Sequence, residues 1–175
     1  FNHICVVSSS AYWVEENKEL ITLALKELLP NDELIWIPQA KSLSQDGWAK
    51  VEPAINSQTA EVLEAGVKYQ VEFAHAQKTG LFLDQRENHQ RLCALTKGKK
   101  VLDLYTYTGG FALHDAKAGA ALVTAVDSSA QAIAQASHNA QLNGLSNIEF
   151  IEADARDYLA QAGNYDVVIL DPPKS

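Results

Sequence analysis

The sequence predicts an α/β fold, an open parallel sheet with helices on both faces preceded by a small α+β domain. Two observations predict it. From about residue 85 helix and strand patterns alternate strictly, which implies successive strand–helix–strand units and therefore parallel pairing. The preceding stretch lacks that rhythm, mixing strands, a helix and a long irregular segment. At 175 residues and 47% hydrophobic content, the chain can bury the core of one ordinary domain plus a smaller partner.

In the first part, Ile4-Cys5-Val6-Val7 reads as a strand. Residues 15–29 carry apolar side chains at Ile21, Leu25 and Leu28, widened by Leu20, Ala24 and Leu29, and Pro30-Asn31 stops this amphipathic helix. Leu34-Ile35-Trp36-Ile37 is a second strand. Residues 39–60 hold Ser42, Ser44, Asp46, Gly47, Pro53 and Ser57 without steady period and read as a loop or linker. Residues 67–73 alternate apolar and polar side chains, the pattern of a half-buried strand.

In the second part, a helix near 86–96 leads into strand 101–104, and a helix follows from Gly110 to about Lys117. Strand 122–126 precedes an Ala-rich helix from Ser129 to about Leu142, stopped by Asn143-Gly144. Strand 148–151, a short helix 155–161 and strand 167–170 complete the run. The sequence contains no repeats. It opens within a strand, stops just after Asp171-Pro172-Pro173 and contains no methionine, so it reads as cut at both ends.

No run approaches the ~18 apolar residues of a membrane span, and no basic segment precedes an apolar one at the start. A cytoplasmic protein is expected. Cys5 and Cys93 stand in no metal or redox spacing, so free thiols and no metal are expected. The net charge of −8 argues mildly against a nucleic-acid partner. Its distribution is uneven: residues 78–100 carry Lys78, Arg86, Arg91, Lys97, Lys99 and Lys100 against Asp84 and Glu87. That local basic patch fits an RNA surface and a solvated charged face equally well.

Open parallel sheets bind ligands at the carboxyl ends of their strands. Here the first strand feeds Tyr105-Thr106-Tyr107-Thr108-Gly109-Gly110, a turn into a helix where glycine admits a close ligand and the helix start offers N–H donors. A tight turn with no ligand would look the same. The next strand ends at Asp127, 18 residues after Gly109, where a carboxylate can accept both hydroxyls of a ribose or simply favour the helix that follows. The third ends at Glu152-Ala153-Asp154, where an acid can meet an adenine amino group or cap a helix. The fourth ends at Asp171-Pro172-Pro173, whose prolines lack N–H donors and hold the backbone rigid.

Taken together, these strand ends resemble the class I S-adenosylmethionine-dependent methyltransferases, whose fold is a Rossmann-like parallel sheet. Residues 101–104 with Gly109 match the first motif, Asp127 the ribose-binding acid, Asp154 the adenine-side acid, and Asp171-Pro172-Pro173 the catalytic-loop motif. Tyr105 and Tyr107 depart from the pattern, standing where the loop usually has its first two glycines. Upstream, residues 77–88 (Gln77-Lys78-Thr79-Gly80-Leu81-Phe82-Leu83-Asp84-Gln85-Arg86-Glu87-Asn88), with Tyr107-Thr108-Gly109-Gly110-Phe111, are similar to the RlmI-type large-subunit ribosomal RNA cytosine-5 methyltransferases. The resemblance covers about 66–175 strongly and 1–65 loosely.

It implies S-adenosyl-L-methionine as cofactor and large-subunit ribosomal RNA as partner. It implies a small α+β domain over 1–65, for RNA binding or linkage, and a cofactor-binding domain from 66 truncated at its carboxyl end, with the first four strands of its sheet present. Cofactor contacts are expected from Lys78, Phe82, Arg86, Asp103, Tyr105, Thr108, Gly109, Asp127, Asp154 and Asp171, with Asp171 and Pro172 as catalytic candidates. For Asp84 and Arg86, simple capping and pairing is an equal expectation. The family's nucleophilic cysteine lies beyond the Asp-Pro-Pro motif, and neither Cys5 nor Cys93 matches it. A relative acting on guanine N7 is a competing reading, as is an inactive RNA-binding module. A nicotinamide-dependent oxidoreductase is disfavoured by the missing Gly-x-Gly-x-x-Gly loop.

Overall fold

A computed structural model describes residues 3–48, 59–73 and 80–172. It divides into two compact units, one formed by residues up to 62 with 71–81, the other by 63–70 with 82 onward.

In the first unit, β1 (Ile4–Ser9) pairs in parallel with β2 (Glu33–Pro38), in register from Ile4 opposite Glu33. Between them run α1 (Tyr12–Glu16) and α2 (Lys18–Leu28). The single helix expected over 15–29 is thus two, because the chain breaks at Asn17, where φ is −103° and the side chain donates to the Trp13 carbonyl. Buried Glu15 accepts from Trp36 Nε1 at 2.8 Å, tying α1 to β2. The expected apolar stripe is only partly covered: no residue of α2 is buried, and Leu28 is 76% exposed.

Part of the expected linker is regular. Ala40–Gln45 form α3, a helix anchored by one apolar side chain, Leu43, too short and too polar to show a period. Thr59 begins β3 (Thr59–Glu64), which pairs with β4 (Val67–Glu72). The inward positions of β3 are Ala60, Val62 and Glu64, while Leu63 faces outward and is exposed. A charged residue inside and a leucine outside together erase the alternation that marks a strand. The turn is carried by Ala65 and Gly66, both at positive φ (46° and 85°), as in a type I′ hairpin.

The second unit is built on a four-stranded sheet in the order β7-β6-β5-β8. Helix α4 (Arg86–Thr96) leads to β5 (Lys100–Leu104), α5 (Gly110–Lys117), β6 (Leu122–Asp127), α6 (Ala130–Leu142), β7 (Ile148–Glu152), α7 (Ala155–Gln161) and β8 (Val167–Leu170). β5 pairs in parallel with β6 on one side and β8 on the other, and β6 with β7. The sheet therefore reverses its winding at β5, and its carboxyl ends share one edge.

Side chains alternate across this sheet. Val101, Val123, Ala125 and Ile169 meet Ala112 and Ala116 of α5 on one face, and Leu102, Leu104 and Val126 meet Ala155 of α7 on the other. The turn half of the hairpin is anchored to the same unit by polar groups. Lys117 Nζ donates to the Gly66 carbonyl, and Asn143 bonds both backbone groups of Lys68. Asn139, fully buried on α6, accepts the Gln70 N–H at 2.9 Å and donates to the Thr108 carbonyl at 3.3 Å.

Replacing Asn139 by Ala strips two backbone groups of their partners inside the fold. The Asn139→Ala protein is expected to lose about 2–3 kcal/mol, read from urea denaturation midpoints. A loss below about 0.5 kcal/mol, the range of ordinary surface changes, would show that the anchor contributes nothing.

Candidate functional site

After Leu104 the chain turns over Tyr105–Gly109 into α5, with the Gly109 N–H donating to the Thr106 carbonyl at 2.9 Å. The two tyrosines that depart from the glycine pattern adopt glycine's conformation. Tyr105 has φ 65° and Tyr107 φ 49°, beside Gly109 at 90°. Left-handed backbone costs a side chain of this kind about 1–2 kcal/mol. Packing offsets it: Tyr105 lies against the Leu102–Leu104–Val126 cluster, and the Tyr107 ring meets Phe82 edge-on at 5.5 Å. Gly109 has a packing reason as well, since a Cβ there would come within 3.1 Å of Leu113 and 3.3 Å of Ala136.

Beside this loop, β6 ends at Asp127. Its Oδ2 accepts the Tyr107 N–H and its Oδ1 the Ser129 N–H, each at 2.9 Å. The helix-supporting role open in the sequence is thus present, and the carboxylate also clamps the β5–α5 loop. Each oxygen carries one such bond and so keeps acceptor capacity. Ala153 N–H donates to the Asp127 carbonyl, joining the adjoining strand end. Asp154 caps α7, accepting from Arg156 and Asp157 N–H groups, and both bonds fall on Oδ1.

Across β5, the last described residues of the Asp-Pro-Pro motif, Asp171 and Pro172, are exposed. Gln85 Nε2 donates to Asp171 Oδ2 at 3.0 Å, while Gln85 Oε1 accepts from Asn88, which fixes the amide's orientation. The upstream segment and the fourth strand end therefore meet through Gln85. Local sequence pattern does not reveal this contact, because the partners are 86 residues apart. Phe82 touches the loop through Tyr107, and Arg86 opens α4 exposed beside Gln85. Lys78 lies outside the described residues. The basic patch divides: Lys97, Lys99 and Lys100 sit past the far end of α4 and at the start of β5, the amino edge of the sheet, away from these strand ends. Cys93 donates to the His89 and His114 carbonyls, and burial, with Asp115 nearby, pushes its thiol up, which suits no nucleophile.

Asp103 lies beneath the loop, 1% exposed. Its Oδ2 accepts from Thr106 Oγ1 at 2.6 Å and from the Ala112 N–H at 3.1 Å, satisfying one of the orphan donors at the start of α5. Thr106, buried and unremarked in the sequence, completes this brace. Asp103 Oδ1 has no hydrogen-bond partner. Burial pushes the carboxyl up to about 7, with the neighbouring Asp115 and Asp171 adding to the rise and the Thr106 and Ala112 bonds opposing it.

Between about pH 4 and pH 7 the folded protein thus retains a proton that the unfolded chain has released. Its contribution to stability is greatest at the acid end of that window and falls as pH rises, by up to about 1.4 kcal/mol per unit. Asp103→Asn cannot ionise, so the difference in urea midpoint between the two proteins should change steadily across this window. Parallel pH profiles would refute the assignment.

Against known proteins, a model of the family described as S-adenosylmethionine-dependent methyltransferase matches residues 34–175. The ribosomal RNA large subunit methyltransferase I of Aeromonas salmonicida is 36% identical over 98% of the chain, and that of Aliivibrio fischeri strain ES114 is 34% identical over the same share. The chain spans 45% of the length of each. Among solved structures, SMU.776 complexed with SAH superposes with a TM-score of 0.81 at 27% identity, covering 98% of this chain and 46% of that one. Trm5b of Pyrococcus abyssi shares the fold, at a TM-score of 0.74 and 20% identity over 98% of this chain and 51% of its own. A parallel sheet that reverses at β5, with braced acids at its carboxyl edge, joins the family match in one conclusion: the chain belongs to the S-adenosylmethionine-dependent methyltransferases.

Proposed function

We propose that the chain binds S-adenosyl-L-methionine across the carboxyl ends of β5, β6 and β7, as the cofactor-binding part of an enzyme that methylates cytosine C5 in large-subunit ribosomal RNA. The observation that carries the cofactor assignment is Asp127. It closes β6, the strand paired with β5, holds the glycine-turn loop by one oxygen and the start of α6 by the other, and keeps lone pairs on both for a ribose diol.

The residues present fit an adenosyl group. Asp154, past the strand hydrogen-bonded to β6, spends only Oδ1 on its cap, which leaves Oδ2 for an adenine amino group. Tyr105, Thr108 and Gly109 line the loop, and Asp103 acts on the cofactor through that loop, holding it from below. Phe82 closes against Tyr107. When bound, the cofactor supplies an electrophilic methyl group on a sulfonium. The chain's part in an in-line transfer is positioning. Asp171, oriented by Gln85 and followed by Pro172, presents a hydrogen-bond acceptor to the incoming base. Lys78 and Arg86 supply cations for the methionine carboxylate.

The RNA assignment rests on the relatives named large-subunit ribosomal RNA methyltransferases, and the cytosine-5 assignment on the resemblance of residues 77–88 and 107–111. The chemistry at C5 needs a thiolate to add at C6, a role that the raised Cys93 thiol does not suit.

Calorimetric titration with S-adenosylhomocysteine should give saturable binding, and NADH none. Asp127→Ala should weaken binding about 10- to 100-fold, the effect of losing hydrogen bonds to a charged acceptor. Tight NADH binding, or an unchanged affinity in a folded Asp127→Ala protein, would defeat the cofactor assignment. Large-subunit ribosomal RNA incubated with methyl-labelled cofactor and the enzyme of which this chain is proposed to be the cofactor-binding part should yield labelled 5-methylcytidine on digestion, whereas the chain alone should transfer no methyl group; label on guanosine would move the target to the purine.

A further inference from the structure

Away from the strand ends, three buried side chains from separate elements converge. Glu64 closes β3, His89 lies in the first turns of α4 and His114 in the last turn of α5, with side chains 5%, 9% and 4% exposed. His89 Nδ1 is 2.8 Å from Glu64 Oε1 and His114 Nε2 is 3.2 Å from the same oxygen. The three donor atoms all lie within 4.8 Å of one another. The imidazole rings stack at 5.2 Å with planes 24° apart.

A hydrogen-bonded triad alone does not account for this arrangement. His89 Nδ1 hydrogen-bonds the carboxylate, whereas His114 Nε2, buried and 3.2 Å from the same oxygen, pairs with it without hydrogen-bond geometry. Native interiors seldom leave such an atom without a well-formed hydrogen bond. A second orphan is adjacent: Tyr69 packs its ring 6.3 Å from that of His114, and its hydroxyl is buried without a partner. The backbone is cleared to admit the cluster. A Cβ on Gly110 would fall 2.7 Å from His89 Nε2, so only glycine lets the His89 ring lie against the start of α5.

Two imidazole nitrogens and a carboxylate oxygen form a donor set for zinc, with metal–ligand distances of about 2.0–2.2 Å. Tetrahedral ligands at those distances stand about 3.4 Å apart. Two of the observed separations, 2.8 Å and 3.2 Å, lie near that value, and the third is no more than 4.8 Å. Charge favours a cation as well. Asp115, the neighbour of His114, is also buried, with Oδ1 bonded to Thr96 and Oδ2 unpaired. We propose that Glu64, His89 and His114 supply three ligands of a Zn2+ site that pins the β3–β4 turn to α4 and α5. Its three ligands come from elements 25 residues apart in sequence, which is why no ligand spacing announces it and no metal was expected.

The test uses the protein dialysed against chelator, then titrated with Zn2+ and, separately, Co2+. One equivalent of either should bind and raise Tm. The Co2+ form should show visible d–d absorption without the near-ultraviolet band of a thiolate ligand. His114→Gln should abolish stoichiometric binding, whereas His138→Gln, which removes an exposed histidine elsewhere on the unit, should retain it. Should His114→Gln fail to fold, the Co2+ spectrum of the unsubstituted protein decides alone. Absence of stoichiometric Zn2+ or Co2+ uptake, a thiolate band, or retention of the metal by folded His114→Gln would each overturn the proposal.

Discussion

The second unit depends on how the loop between β5 and α5 is held. Two carboxylates do this from different directions. Asp103 braces Thr106 and Ala112 from beneath, and Asp127 takes the Tyr107 N–H from the side. The loop is therefore set by side chains of two adjoining strands, β5 and β6, and it does not rely on its own flexibility. Such bracing explains how two tyrosines tolerate left-handed backbone. Strain of that size persists only where the surroundings over-determine the conformation.

The same economy runs through the neighbouring strand ends. Asp127 and Asp154 each do a structural task that any helix-starting acid could do. The proposed cofactor contacts would then be superimposed on the carboxylates that already start these helices, rather than competing with that role. The shared use has a physical benefit: an acid already fixed by backbone N–H groups loses little freedom when a ligand arrives.

The parallel sheet was legible because its strands and helices alternate cleanly and its stop signals, such as Asn143-Gly144, are local. The bounds of α4, α5, α7 and β8 agree with the pattern to within a residue. What stayed hidden was set by partners distant in sequence. β3 hides because Glu64 points inward to two histidines while Leu63 faces out. Asn139 sits on the buried face of α6 among Ala132, Ala136 and Ala140, and nothing in helical periodicity says that it reaches Gln70 and Thr108. The residues at the strand ends could be singled out individually. Their wiring, such as Gln85 to Asp171, belongs to the tertiary structure alone.

The contact between Gly110 and His89 couples two positions that otherwise look unrelated. A methyl group at 110 and an imidazole at 89 cannot occupy the same space. Within any lineage of such chains, a larger side chain at the first position becomes accessible only after the second has shrunk or turned aside. The order of those changes is therefore constrained.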